Sequence, residues 1–350
     1  MAKGKARGGA EAAAKRDEEL RQTMERLEEG VRGVFESARY RRYLAVMSRF
    51  HSYSANNCLL IAMQRPDATL VAGYRAWQDK FGRQVRKGER GMRILSPVVV
   101  MVKGEGDDVG EALDGSAGDG PRRRLAGFRL ATVFDVSQTE GRELPALGVD
   151  ELTGGVARYE AAMRVVSEVS RYPVSFEDIP SGAKGFFSRS EPKRIVIQKG
   201  MSQAQTLKTA IHELAHSVMH DSGSEGEGPA LPGRATREVQ AESVAFIVSS
   251  WLGLDTGDYS FGYVAGWSEG KDLSELRASL DEIRGAAHGI IGSMEQKMAE
   301  NRESEGLERV RALEHKPDAA CRSLSERAAI ARRASARDDH APRLPDRSDR

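Results

Sequence analysis

The sequence has little cysteine and no long apolar segment. Its two cysteines, Cys58 and Cys321, lie far apart and neither has a C-x-x-C partner. That spacing excludes a disulfide framework and a zinc ribbon, and it is typical of a reducing compartment. No apolar run approaches the roughly 18 residues that span a bilayer, and none follows the basic first residues. We therefore expect a soluble, cytoplasmic protein with no membrane partner.

Aromatic residues and net charge are also low, at 6% and +1, although 30% of the residues are charged. The charge therefore has to be interpreted segment by segment. Residues 1–19 have the composition of a disordered basic arm, and residues 303–350 that of a flexible charged tail. A Pro- and Gly-containing stretch over 141–152 is typical of a linker. This leaves two candidate domains, 20–140 and 153–302.

The elements predicted within these two domains indicate an α+β fold. In the first domain, helices precede two β-branched runs, 93–102 and 127–136, which predict an antiparallel hairpin with an acidic, Gly-rich insertion over 104–120. In the second domain, a helix over 156–171 and three short strands precede two further helices. The first domain is thus expected to contain a small antiparallel sheet.

The strongest chemical signal is the H-E-x-x-H motif formed by His212, Glu213 and His216. Residues four apart share one face of a helix, so both imidazoles face the same way and Glu213 stands beside them. Two histidines and an adjacent carboxylate in this pattern are typical of zinc sites in which the carboxylate takes a proton from water.

An isolated motif of this kind is weak, so its surroundings matter. Apolar residues recur at helical spacing around it and predict a core-facing helix over 204–220. His220 falls at the end of this helix. Eight helical residues rise about 12 Å, so His212 and His220 cannot easily meet one ion. We therefore interpret His220 as a helix-end or core histidine.

Two histidines do not complete a zinc site, and the third ligand must come from another element. Glu238 and Glu242 are four apart in the next apolar run and share a helix face. We interpret Glu238 as the third ligand and Glu242 as the acceptor of a histidine N–H. From spacing alone the reverse assignment remains open, as does a solvent-exposed position for both.

A nucleic-acid surface is predicted in the first domain, because basic and aromatic residues alternate there. Such residues neutralise phosphates and stack unpaired bases, which favours single-stranded over duplex nucleic acid. A solvated charged face and buried aromatic residues are the simpler alternative. The candidate contacts are Arg41, Arg42, Tyr53, Asn57, Tyr74, Trp77, Arg83, Arg86, Lys87, Arg90 and Arg93.

Long stretches of the sequence also resemble a known family. The run "FHSYSANNCLLIAMQRPD" with its continuation to residue 100, together with "VFDVSQTEG", resembles the N-terminal domain of ArdC-type antirestriction proteins of conjugative elements. "AIHELAHSVMH" and "REVQAESVAF" resemble the zincin-like metallopeptidase domain that follows in that family. The resemblance covers about residues 20–300.

The resemblance implies a single-stranded-DNA-binding domain followed by a gluzincin-like zinc metallopeptidase. It implies one Zn2+ per chain on His212, His216 and Glu238, although other divalent metals are possible, with Glu213 as the catalytic acid. In related zincins the first acid of a similar Glu-x-x-Ala-Asn motif is the ligand, which supports Glu238. This sequence departs from those zincins in having Glu242 at the second position of the motif. Tyr263, or alternatively Tyr259, is a candidate oxyanion donor because it follows the second helix.

We therefore expect an antirestriction protein of a mobile element that binds single-stranded DNA and cleaves a protein substrate that the sequence does not identify. One rival hypothesis is a non-catalytic protector of single-stranded DNA with a structural zinc. Another is a DNA-activated peptidase that acts on a regulator or on a DNA-crosslinked protein.

Overall fold

The computed structural model describes residues 2–102, 122–144, 155–221, 231–254, 259 and 261–314. Long helices and small sheets alternate in these ranges, so the predicted α+β class is confirmed. The chain forms two compact units, Met1–Met294 and Glu295–Arg350, and the sites described below lie within the first. None of the helices in the described ranges combines the length and the apolar character that a bilayer crossing requires.

Three helices open the chain: α1 (Ala2–Val34), α2 (Ser37–Arg49) and α3 (Ala55–Gln64). Leu27 and Val31 of α1 are fully buried at helical spacing. The helix begins at Ala2, so the prediction of a disordered arm over residues 1–19 is wrong. Residues 10–14 are rich in alanine, and this high helix propensity outweighs the basic, Gly-containing composition on which the prediction depended.

The hairpin predicted for the first domain is confirmed. The elements that follow α3 are β1 (Val71–Gly73), α4 (Tyr74–Asp79), β2 (Arg83–Val85), β3 (Met92–Val102), β4 (Arg122–Asp135) and β5 (Thr139–Gly141). β3 and β4 pair antiparallel along their length, and β1 adds to the other edge of β4. β2 and β5 form a separate two-stranded sheet that the sequence did not predict. The predicted insertion over 104–120 lies outside the described residues.

The open edge of β3 is covered by side chains of α3. The Asn57 amide accepts from the Leu95 backbone N–H and donates to the Leu95 carbonyl, both at 2.9 Å. Gln64 makes the same pair of bonds with the backbone of Arg93, at 2.8 Å. These amides satisfy backbone groups that an edge strand would otherwise leave unpaired.

The second half begins with α5 (Gly155–Val169), β6 (Val174–Glu177), β7 (Gly185–Ser188), β8 (Arg194–Gln198) and α6 (Gln203–Met219). β8 is the central strand, with β6 parallel on one side and β7 antiparallel on the other. Ile195, Val196 and Ile197 of β8 are fully buried, and α6 packs on β7 and β8. The edge strand β7 therefore runs beside the helix that carries the H-E-x-x-H motif.

Three helices complete the described chain: α7 (Arg234–Trp251), α8 (Val264–Ser268) and α9 (Leu273–Glu314). α9 continues past residue 303, so the prediction of a flexible tail is wrong for 303–314, and its remainder lies outside the described residues. Leu307, Val310 and Leu313 recur at helical spacing, a signal that the charged composition obscured. Beyond residue 144 the predicted linker also lies outside the described residues.

Candidate metal centre

The motif helix α6 begins where the sequence provides a cap and a buried face. The Ser202 side chain accepts a hydrogen bond from the Gln205 backbone N–H, which satisfies one of the free donors at the helix start. Leu207, Ile211 and Leu214 are buried to 2% exposure or less. This packing fixes the helix so that His212 and His216 face the same cleft, with their Nε2 atoms 3.1 Å apart.

Helix α7 brings Glu238 to the two imidazoles. Its Oε2 atom lies 3.7 Å from Nε2 of His212 and 3.7 Å from Nε2 of His216. Ligand atoms of a tetrahedral zinc ion at bond lengths of about 2.0–2.1 Å are separated by about 3.3 Å, so the three observed separations suit a small divalent cation. Among the described residues, no other set of three histidine, cysteine or acidic side chains converges in this way.

The pKa values in this cluster reflect the closeness of opposite charges. The close imidazoles of His212 and His216 hold the pKa of Glu238 well below its usual range. Burial lowers the pKa of His212, but the nearby carboxylates of Glu238 and Glu242 outweigh it and raise the value to about 9. Without a cation, the protonated ring of His212 therefore attracts the carboxylates of Glu238 and Glu242. A bound cation would displace this proton.

Glu242 lies behind His212, on the side away from Glu238. Its Oε2 atom is 3.2 Å from Nδ1 of His212, without the alignment of a regular hydrogen bond. Its Oε1 atom is 3.6 Å from Nζ of Lys208, which in turn lies 3.6 Å from the centre of the Tyr259 ring. A small rotation of the imidazole would let Nδ1–H donate to Glu242, as predicted from the sequence.

Glu213 lies against β7 and is only 7% exposed. Burial raises the pKa of its carboxyl, although the nearby histidines and the backbone N–H of Phe187 favour its charged form. The strand approaches this closely because residue 185 is glycine: a Cβ there would lie 2.6 Å from Cγ2 of Thr209 and 3.2 Å from Cγ of Glu213. A carboxyl whose pKa lies above its usual value is a better proton acceptor than an ordinary exposed one.

His220 is the residue directly after α6, and it contacts the ring of His216 at Nδ1 rather than at Nε2. Its ring is 2% exposed, with Nδ1 at 3.0 Å from Nδ1 of His216 and Nε2 at 2.9 Å from Oε1 of Gln240. Nε2 of Gln240 donates at 2.5 Å to Glu282 of α9. Burial lowers the pKa of His220 to about 4, so its ring is neutral. The structure agrees with a core rather than a ligand position for His220.

The converging side chains lie at a cleft of about 350 Å³. Gly185, Phe186 and Phe187 of the edge strand β7 form one wall. Three arginines also line it, Arg189, Arg234 and Arg237, and sequence reasoning missed all three. Gln240 and Glu282 were missed as well, because their partners lie 20 and 42 positions away and no local pattern marks them.

The two tyrosine candidates differ in position. Tyr259 is 4% exposed and its hydroxyl lies 3.1 Å from Oγ of Ser249, so it cannot donate into the cleft. Tyr263 is 46% exposed, and its pKa is raised by partial burial and by the charges of Glu242 and Glu238. Of the two, Tyr263 is the one that remains a candidate.

Several predicted DNA contacts belong to the scaffold instead. Trp77 is fully buried with its Nε1–H donating to the Phe134 carbonyl, so the prediction that it stacks on bases is wrong. Asn57 is 8% exposed and engaged with β3, which corrects that assignment too. The Tyr53 hydroxyl donates to the Val71 carbonyl. Trp77 packs on Phe81, and this apolar pair four residues apart was the missed signal of a core position.

The predicted basic contacts divide into two groups. Arg83 and Arg86 bind backbone carbonyls of the β5 region, including those of Thr139 and Ser137, and Arg93 pairs with Glu19 of α1 at 2.5 Å. Arg41 is half-buried. Arg42, Tyr74, Lys87 and Arg90 are exposed, as are Arg86 and Arg93 despite their partners.

Two protein families match the chain. Residues 15–134 match the family described as the N-terminal domain of anti-restriction factor ArdC. Residues 169–258 match a peptidase family described as the IrrE N-terminal-like domain. The converging His212, His216 and Glu238 all lie in the second match.

Individual proteins are also similar to this chain. An uncharacterized protein of Bacillus anthracis is 25% identical over 285 residues, which cover 73% of this chain and 47% of that protein. The chain thus spans about half the length of this curated relative. Crystal structures of the antirestriction protein ArdC from plasmid R388, one metal-free and one Mn(II)-bound, are 18% identical with a TM-score of 0.42. The match to the metal-free structure covers 70% of this chain and 86% of the ArdC chain, and the match to the Mn(II)-bound structure covers 69% and 85%. One part of the chain is thus similar to an ArdC N-terminal domain and another to an IrrE-like domain of a peptidase family, and the resemblance to ArdC-type antirestriction proteins is confirmed.

Proposed function

We propose that the chain is a metal-dependent peptidase whose N-terminal domain binds single-stranded DNA, acting as an antirestriction protein of a mobile element. The observation that carries the peptidase half is the convergence of His212, His216 and Glu238 beside the buried Glu213. His212, His216 and Glu238 would hold one divalent cation, and their nitrogen and oxygen donors suit Zn2+. The Mn(II)-bound relative leaves other divalent cations open.

Each side chain then has a distinct role in peptide hydrolysis. A bound divalent cation supplies Lewis acidity, which lowers the pKa of water and polarises a carbonyl. Glu213 accepts the proton of the attacking water and returns it to the leaving amine, a task that suits its raised pKa. Glu242 orients the ring of His212, and Tyr263 is the candidate hydrogen-bond donor to the developing oxyanion.

The edge strand β7 is suited to hold the substrate. It is the outer strand in the order β6-β8-β7, and its residues line the cleft. An exposed strand edge binds an extended peptide through backbone hydrogen bonds. Such a peptide would lie across the side chains that perform the chemistry.

Binding to single-stranded DNA is proposed for the first domain on the basis of the ArdC family match. Tyr74 is 46% exposed and available to stack on a base, and Lys87 and Arg90 are exposed basic neighbours in sequence. The aromatic partner of the unpaired bases is thus Tyr74 rather than Trp77.

The variant Glu213→Gln separates the peptidase from a pure DNA protector. It keeps the proposed ligands and removes the proton acceptor, so we expect metal content and DNA binding as in wild type with peptide cleavage lost. An antirestriction assay in cells then decides between them: loss of protection supports the peptidase, and full protection supports the protector with a structural zinc.

A DNA-activated peptidase is the second candidate, because α2 of the first domain packs directly on the ligand helix α7. DNA bound to the first domain would then be linked to the metal site through this interface. Peptide cleavage measured with and without a single-stranded oligonucleotide tests this. An unchanged rate would refute activation.

A further inference from the structure

We propose that the cleft takes a polypeptide with acidic side chains flanking its scissile bond. This inference rests on the proposed function, since it names the substrate class of the same site. The cleft that contains His212 and His216 is also lined by Arg189, Arg234 and Arg237.

The three arginines have no protein partner that explains them. In the part of the chain that the structure describes, none has an ion pair or a side-chain hydrogen bond. Arg189 directly follows β7, and Arg234 and Arg237 are one turn apart at the start of α7. Arginines three apart lie on neighbouring positions of a helix surface, so both can act on one bound chain. Unpaired guanidinium groups bind carboxylates through two parallel hydrogen bonds.

The charge of the cleft favours an anionic occupant. Its lining acids are Glu213 and Glu238, and both already have roles at the proposed metal centre. A divalent cation would add two positive charges to those of the three arginines, so positive charge exceeds negative. A cleft lined mainly by one sign of charge concentrates ligands of the opposite sign.

A peptide suits the cleft better than a nucleic acid. One wall is the edge strand β7, whose backbone can pair with an extended peptide but not with a sugar-phosphate chain. Phe186 in this wall is 39% exposed and offers an apolar contact beside the arginines. The combination predicts an extended, acidic polypeptide with some apolar character.

The test uses the Glu213→Gln variant, so that binding is measured without cleavage. Fluorescence polarisation compares a labelled peptide containing glutamates, its lysine counterpart and a single-stranded oligonucleotide. We expect the acidic peptide to bind at least about 10-fold tighter than the lysine peptide. Added Arg234→Glu and Arg237→Glu substitutions should reverse the preference, whereas Lys199→Glu, an exposed site outside the cleft lining, should leave it unchanged.

Equal affinity for both peptides would overturn the inference. So would displacement of the acidic peptide by the oligonucleotide with the same dependence on Arg234 and Arg237, which would assign the cleft to nucleic acid. Failure of the proposed function would give a different result. The Glu213→Gln variant would then bind the acidic peptide, but the wild-type chain with a full complement of metal would not cleave it.

We infer independently that His220, Gln240 and Glu282 form a positioning chain for the ring of His216. The links are contacts of 3.0 Å from His216 to His220 and 2.9 Å from His220 to Gln240, followed by the bond to Glu282. His220 and Gln240 are each 2% exposed, so water does not substitute for these partners. This positioning chain of side chains links α6, α7 and α9.

Donor and acceptor roles in the positioning chain follow from its two ends. A cation on Nε2 of His216 leaves Nδ1–H as a donor, so Nδ1 of His220 must accept. His220 then carries its proton on Nε2 and donates to Oε1 of Gln240. The Gln240 amide thereby turns its NH2 group towards the Glu282 carboxylate, which only accepts. This arrangement gives each contact of the positioning chain one donor and one acceptor, and it holds the His216 ring in place.

Two measurements test the positioning chain on zinc-loaded full-length protein. Long-range 1H–15N spectra of the histidine rings should show His220 protonated on Nε2, and protonation on Nδ1 would overturn the assignment. Chelator competition should show zinc affinity reduced about 10–100-fold in His220→Leu. His220→Asn keeps an oxygen near Nδ1 of His216 and should recover most of this loss.

Unfolding of the metal-free variants separates positioning from stability. A folded His220→Leu variant with wild-type zinc affinity would refute the role of His220. If that variant does not fold, the ring spectrum of the wild-type protein decides alone.

Discussion

The hydroxyl oxygen of Tyr40 lies 2.8 Å from Oγ of Ser243, 203 positions away in the sequence. Tyr40 lies on α2, within the match to the ArdC N-terminal domain, and Ser243 lies on α7, within the match to the IrrE-like domain. Both are fully buried, and the Tyr40 ring also packs on Phe261. Ser243 directly follows Glu242, so the two matched segments share a core immediately behind the candidate metal centre.

Removing this hydroxyl should destabilise the protein. We expect Tyr40→Phe to lower the free energy of unfolding by about 1 kcal/mol, because a buried hydrogen bond is lost. Urea unfolding followed by circular dichroism measures this and should show a single transition. Tyr43→Phe is the matched control: its hydroxyl makes only a long bond of 3.4 Å, to the Ala55 carbonyl, and its loss should cost less. Two separate transitions would contradict a shared core.

The metal-free protein should lose stability as pH rises above neutrality. The pKa of His212 in the folded chain is about 9, above its usual value of about 6.5. A raised pKa contributes stability fully below about 6.5 and loses it as pH approaches 9. Thermal unfolding between pH 6 and 9.5 should show this decline, and Glu238→Gln should flatten it. A metal-free melting temperature that is constant over this range would contradict the ion pair.

The approach of β7 to α6 should depend on the absence of a side chain at residue 185. Gly185→Ala would bring a Cβ within 3.0 Å of the Val196 carbonyl and 3.2 Å of Glu213. We expect the strand to shift and peptide cleavage to fall at least about 10-fold, since a displacement of about 1 Å in an active site has that order of effect. Gly266→Ala is the control, because nothing lies within 4 Å of its Cβ. Equal activity of both variants would contradict the proposed wall of the cleft.

DNA binding should depend on Tyr74 and not directly on Trp77. Tyr74→Ala should weaken binding to single-stranded DNA by about 1–3 kcal/mol, the usual contribution of one stacked base, without changing the melting temperature. Trp77→Ala should instead destabilise the fold, because its ring is fully buried. Mobility shifts at several salt concentrations measure the affinity. Unchanged binding by a folded Tyr74→Ala variant would remove this contact.

The candidate metal site could be predicted from sequence because its pattern is local. His212 and His216 lie on one helix, and the spacing of Glu238 and Glu242 on the next helix narrowed the carboxylate to two residues. Their order could not be obtained from spacing alone. It depends on how α6 and α7 cross, which places Glu238 at Nε2 and Glu242 at Nδ1 of His212.

The predicted DNA contacts agree less well with the structure, because composition does not reveal burial. Trp77 and Tyr74 belong to the same short helix, yet one faces the core and the other solvent. Arg83 and Arg93 looked like a phosphate-binding stripe, but each satisfies carbonyls or carboxylates that are distant in sequence. The arginines of the cleft were missed for the converse reason, since only the fold brings Arg189 near Arg234.

The most direct test of the metal centre is anomalous diffraction at the zinc edge from crystals of the zinc-loaded full chain. We expect one strong peak within about 2.3 Å of Nε2 of His212, Nε2 of His216 and a carboxylate oxygen of Glu238. Crystals of Glu238→Ala should lack this peak, because a ligand is removed. Crystals of Glu213→Gln should retain it, because Glu213 is not a ligand. A zinc-loaded wild-type crystal with no peak between these three side chains, or with the ion bound elsewhere, would contradict the account.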